Sequence, residues 1–129
     1  MIFDQRIKYG FGDPSYVLGL KGYELVSLDK TRSQEAYDIL NESISKTGNS
    51  SHFTAVYGLM QAVVNLEQEG IKTKSDVLDV YTIISKIIDF NMNNQSKLTK
   101  YFVQYAEKVD ELFAPYANCD ELNIFIWPS

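Results

Sequence analysis

The chain has 129 residues, enough to bury one sizeable core, and 45% hydrophobic against 22% charged residues with only 3 Pro is too apolar for a disordered polymer. A formal net charge of −5 with scattered lysines argues against nucleic acid or an anionic membrane as partner, and suits a partner protein with a basic surface. A single cysteine, Cys119, excludes an intrachain disulfide framework; with no signal-like start and no apolar run near the roughly 20 residues of a membrane span, the sequence predicts a cytoplasmic protein of one helical domain over residues 1–129.

The opening stretch "RIKYGFGDPSYVLGLKGYELV" threads glycines between tyrosines and aliphatic residues. Gly10, Gly12 and Ser15 fit the spacing of a phosphate-cradling loop only if Ser15 stands for the third glycine, and no alternation of strands and helices follows. Asp13 sits where the anion would lie. Followed by Pro14, it reads better as a helix N-cap with proline at the first helical position. Through "SYVLGLKGYELVSL" the periodicity does not separate helix from strand. Tyr9, Phe11, Tyr16 and Tyr23 fall on no clear periodic face, so they are candidates for binding a partner as well as for packing a core.

Four helical segments follow in chain order. In "SQEAYDILNESISK" Ala36, Tyr37, Leu40 and Ile44 share the inward face, Glu42 and Lys46 form an i,i+4 pair, and Gly48 closes the helix. "HFTAVYGLMQAVVNLEQEG" is apolar around most of its circumference, leaving Thr54, Gln61, Asn65 and Gln68 as a thin polar line; this is the pattern of a central helix, ended by a left-handed Gly70. "SDVLDVYTIISKIIDF" gathers Val77, Val80, Tyr81, Ile84, Ile87 and Ile88 opposite a stripe of Ser75, Asp79, Thr82, Lys86 and Asp89, and Thr73 with Asp76 predicts a capping box at its start. In "SKLTKYFVQYAEKVDELF" Leu98, Tyr101, Phe102, Tyr105, Val109, Leu112 and Phe113 recur on one face, with Lys97, Lys100, Gln104, Lys108 and Glu111 on the other and Pro115 as the stop. Short polar turns between them suit antiparallel neighbours.

The C-terminal "NIFIWPS" reads as a strand, with Ile124 and Ile126 on one face and Phe125 and Trp127 on the other. Both faces are apolar, so the run needs cover. Pairing with the early "IFDQRIKY" region would supply it within the chain, and strand addition to a partner or a second copy would supply it from outside. Phe125 and Trp127 therefore join the candidate partner-binding residues. The expected fold class is mainly α, a four- to five-helix bundle with a small β element from the N- and C-terminal segments.

Reactive chemistry is sparse. His52, the only histidine, lies in "NSSHFT" at a helix start, where capping or surface exposure accounts for it. Asp120 and Glu121 follow Cys119 and would raise its thiol pKa, the wrong direction for a nucleophile. No H-E-x-x-H or C-x-x-C spacing marks a metal site, and Asp76 with Asp79 and Asp110 with Glu111 read as solvated helix faces. The residues thus predict no catalytic site, no cofactor and no metal.

The order from "AVVNLEQEGIKTKSDVLDVYTIISKI" to "LTKYFVQYAEKVDELF" resembles the helical layout of small phage tail assembly chaperones, which are similarly short and acidic. The likeness covers about half the chain, carries no diagnostic motif, and does not extend to the opening residues. With no catalytic or metal site to read, the residues point to a non-enzymatic interaction protein, an adaptor, assembly chaperone or inhibitor that occupies a partner's surface; the resemblance implies the assembly chaperone among these, and a second interaction reading is an inhibitor of a host defence system encoded by a phage or other mobile element. The alternative from another class is a small-ligand sensor with an aromatic-lined pocket between helices.

Overall fold

The computed structural model describes residues 14–93 and 99–117. They form five helices: α1 Pro14–Leu28, α2 Ser33–Thr47, α3 Phe53–Gln68, α4 Lys74–Asn93 and α5 Thr99–Phe113. Short 3₁₀ turns at Lys30–Arg32, Gly48–Ser50 and Ala114–Tyr116 punctuate them. There is no strand among the described residues; the two segments expected to supply the β element, "IFDQRIKY" and "NIFIWPS", lie outside them, as do Asp13 and Cys119.

The stretch that periodicity left open is helix α1. Its glycines are packing positions: a Cβ on Gly22 would stand 2.5 Å from Leu40 Cγ, and one on Gly58 of α3 would meet Leu40 Cδ1 and the Tyr23 backbone at 3.2 Å each. Two glycines on neighbouring helices therefore make the seat for one leucine of α2, and the backbone of α1 lies directly on α3. Residues that give a close approach carry no hydrophobic signal, which is why this helix shows no amphipathic face in the sequence.

Contacts fix the helix directions. Ser43 Oγ donates to the Ser15 carbonyl at 2.5 Å while Gly22 faces Leu40, so α1 runs antiparallel to α2. Phe53 meets Phe102 near the start of α5, and the Tyr116 hydroxyl donates to Glu67 near the end of α3 at 2.5 Å, so α3 and α5 are parallel. Asn91, near the end of α4, donates to the Asn49 carbonyl just before α3, which makes α4 antiparallel to α3. Helix α3 packs against all four others, the central position its apolar circumference predicts. Its Val56, Met60, Ala62 and Val63 are completely buried. The inward set of α4, Val77, Val80, Tyr81, Ile84, Ile87 and Ile88, is buried in full, each such side chain contributing about 1.5–3 kcal/mol.

The helix ends follow the local chemistry. Thr73 and Asp76 form the expected capping box: the Thr73 N–H donates to Asp76 Oδ2 at 2.8 Å, and the Asp76 N–H donates to Thr73 Oγ1 at 3.2 Å. The bonds from the Thr73 backbone and then its hydroxyl hold the Asp76 carboxyl below its usual range. Gly70, at φ 78°, ends α3 in a left-handed turn in which the Ile71 N–H donates to the Leu66 carbonyl at 2.9 Å. Gly48 closes α2 as expected, its N–H donating to the Ile44 carbonyl. The Glu42–Lys46 pair forms at 4.0 Å on the exposed side of α2.

Two polar side chains are tied into the fold, and for Asp110, expected on a solvated helix face, this is a correction. Asn65, part of the thin polar line of α3, is only 3% exposed: it accepts from Gln61 at 3.0 Å and donates to Ser33 Oγ at 3.0 Å, and Ser33 donates in turn to the Lys30 carbonyl. A partner 32 positions away satisfies this buried amide. Asp110 is likewise not simply solvated, because it accepts the Tyr81 hydroxyl at 3.1 Å and ties α5 to α4.

Candidate functional site

The aromatic residues of α1, α3 and α5 converge on one face of the bundle. Phe53, Tyr57 and Gln61 stand four residues apart and so line one stripe of α3, with Tyr23 of α1 on one side and Tyr105 of α5 on the other. Tyr57 lies 6.2 Å from Tyr23 at an interplanar angle of 58°, and 5.5 Å from Tyr105 at 69°. Phe53 lies 4.8 Å from Tyr105 and meets the buried Phe102 edge-on at 5.9 Å. Each spacing falls within the range of favourable ring pairs. Tyr23, Phe53, Tyr57 and Tyr105 are all partly buried: they pack on the core with one side and reach solvent with the other.

Polar groups complete the face. The Tyr57 hydroxyl donates to Gln61 Oε1 at 3.3 Å and so joins the chain of hydrogen bonds that runs through Asn65 to Ser33. The exposed Lys108 places its ammonium 5.0 Å from the Tyr105 ring centre and 5.7 Å from that of Tyr57. Burial, then the neighbouring Tyr23 and the Glu111 carboxylate, push the Tyr57 hydroxyl above its ordinary range. Burial and then Tyr23 do the same to Tyr105.

Tyr81 and Tyr116 are raised further, by burial first and then by the carboxylates that accept their protons' hydrogen bonds, Asp110 and Glu67. An unfolded tyrosine gives up its proton near pH 10, whereas these native ones keep theirs to higher pH. Above about pH 10 the unfolded chain therefore binds fewer protons than the native one, and stability falls as pH rises. Tyr81 and Tyr116 should each contribute up to about 1.4 kcal/mol per pH unit, and the more exposed Tyr57 and Tyr105 less. Urea midpoints at pH 9, 10 and 11 should fall slightly over the first step and steeply over the second; equal midpoints throughout would contradict the part-buried hydroxyl bonds.

Of the six residues expected to bind a partner, the structure brings one, Tyr23, into this cluster. Tyr16 lies partly buried two turns earlier on α1 and forms no ring contact with the cluster among the described residues, while Tyr9, Phe11, Phe125 and Trp127 lie outside them. Phe53, Tyr57, Tyr105 and Lys108 were missed as a site. Their periodic positions read as core or as a polar face, and the available signal was the i,i+4 run of Phe53, Tyr57 and Gln61 with its polar end. His52 has the expected capping role: its Nδ1 accepts from the Thr54 N–H at 3.3 Å, and its ring lies beside that of Phe53, 4.0 Å between centres and tilted by 34°.

Among the described residues no three His, Cys, Asp or Glu side chains gather as a metal-binding group would, and no helix is long and apolar enough to cross a membrane. The class defined by fold and face is thus a mainly helical bundle with an aromatic, hydroxyl-bearing surface. No protein-family model matches the chain, nor does any curated protein or solved structure.

Proposed function

We propose that the protein works by occupying a partner's surface, as an adaptor, assembly chaperone or inhibitor, through the face built by Tyr23, Tyr57 and Tyr105. The carrying observation is that three tyrosines from three different helices converge while each stays only partly buried. Tyrosine gives large contact area at low entropic cost together with a hydrogen-bonding tip, which is why it is enriched where binding energy is concentrated. A tyrosine needed only for packing would be covered, as Tyr81 is at 2% exposure.

The test compares two faces of the same fold. Ile83 and Phe90 on α4 are also exposed, at 46% and 45%, and serve as the apolar control. Affinity capture with the intact chain should yield a stoichiometric protein partner that is lost with Tyr23→Ser/Tyr105→Ser and kept with Ile83→Ser/Phe90→Ser, all variants being checked for native helicity. The reverse pattern would move the function to α4. A stoichiometric small molecule in place of a protein would replace this reading with that of a ligand sensor.

A further inference from the structure

Lys108 stands one helical turn from Glu111 and next to Glu107, yet among the described residues it forms an ion pair with neither. Its ammonium lies instead over Tyr57 and Tyr105, within the roughly 6 Å at which a ring face attracts a cation. The two rings are tilted by 69° to one another, so their faces form a corner that meets a cation from two directions, and Tyr23 adds a third ring beside Tyr57. Glu111 is close enough to raise the Tyr57 pKa, which places negative potential on the same side of the corner. The chain as a whole carries −5. Lys108 itself is exposed and tethered only by its flexible stem, so it can leave.

From this geometry we infer the chemistry of the partner: a basic protein surface that inserts an arginine or lysine side chain into the corner between Tyr57 and Tyr105, displacing Lys108. The inference rests on the interaction reading and adds to it. Lys108 then has a definite role. It fills the corner in the free protein and competes with the incoming cation, lowering affinity for isolated charges while leaving room for a partner that also contacts the surrounding rings. Arginine suits the corner better than lysine, because its planar guanidinium stacks on aromatic faces and is less strongly hydrated.

A tetra-arginine peptide and its neutral citrulline counterpart serve as probes, titrated into the full chain with the tyrosine ring resonances as readout. The arginine peptide should move the Tyr57 and Tyr105 rings and the citrulline peptide should not. Lys108→Met should tighten arginine-peptide binding by about two- to five-fold, the equivalent of removing one exposed cation–ring contact. Lys86→Met removes the same charge from the exposed side of α4 and should change binding far less. Equal tightening by both variants would reduce the effect to net charge and overturn the assignment. So would ring shifts from the citrulline peptide equal to those from the arginine peptide, or arginine-induced shifts that bypass Tyr57 and Tyr105. If partner capture depends on Tyr23 and Tyr105 while the arginine peptide leaves the rings unmoved, the interaction reading stands and the cationic corner is refuted. If neither holds, both fall.

Discussion

Leu40→Ala is expected to destabilise the protein by about 4 kcal/mol, near the upper end of the range for large-to-small core changes, and to lower the melting temperature by roughly 10–20 °C. Leu40 is completely buried, and its side chain is seated against Gly22 of α1 and Gly58 of α3. The cost of such a change depends on how far the surroundings can close into the hole. Here they cannot close far, because α1 and α3 already meet backbone to backbone where Gly58 faces Tyr23. Gly22 supplies the check. Helix propensity alone would make Gly22→Ala stabilising by about 1 kcal/mol, but the added methyl would stand 2.5 Å from Leu40 Cγ, so a net loss reports that contact. In the Leu40→Ala background the same methyl enters the cavity. The double variant should therefore be more stable than the sum of the singles predicts, by about 1 kcal/mol or more, and strict additivity would show that the two residues do not touch.

Phe102→Ala should cost about 3–5 kcal/mol, and its effect should be uneven along α5. Phe102 is 1% exposed and, among the described side chains, it and Ala106 supply the buried apolar contact of the first half of that helix. The second half has Val109 and Phe113, the stack of Tyr81 on Phe113 at 3.8 Å, and the hydroxyl bonds to Asp110 and from Tyr116 to Glu67. Amides of residues 102–106 should therefore exchange with solvent well before those of 109–113 in the variant. Val103→Ala, at a position 39% exposed, should change stability by no more than about 0.5 kcal/mol. Uniform loss of protection along α5 would mean that the helix is held as a single unit and not by two separate sets of contacts.

The parts of this architecture that were legible in the sequence are those whose burial is local and continuous. The inward face of α4 could be read residue by residue because each position sits at helical spacing on a single stripe, and its capping box lies within four consecutive residues. Helix α1 was not legible, for a physical reason: it packs by glycine, and a missing side chain leaves no hydrophobic mark. The bond of Asn65 to Ser33 is not legible, because the two belong to different helices and no local pattern announces a hydrogen bond of that sequence separation. The site divides in the same way. Tyr23 stood out because it fitted no periodic face. Tyr57 and Tyr105 did fit one, and only the placement of α1 and α5 on either side of α3 leaves their rings partly open.

Site-specific photo-crosslinking reads out whether the partner sits on this open tyrosine face. A benzoylphenylalanine introduced at position 105, on the aromatic face, and separately at position 86, on the exposed side of α4, should report different surroundings in cells that make the natural partner. One discrete cross-linked protein is expected from position 105, suppressed by Tyr23→Ser, and none from position 86. A discrete adduct from position 86 with none from position 105 would contradict it.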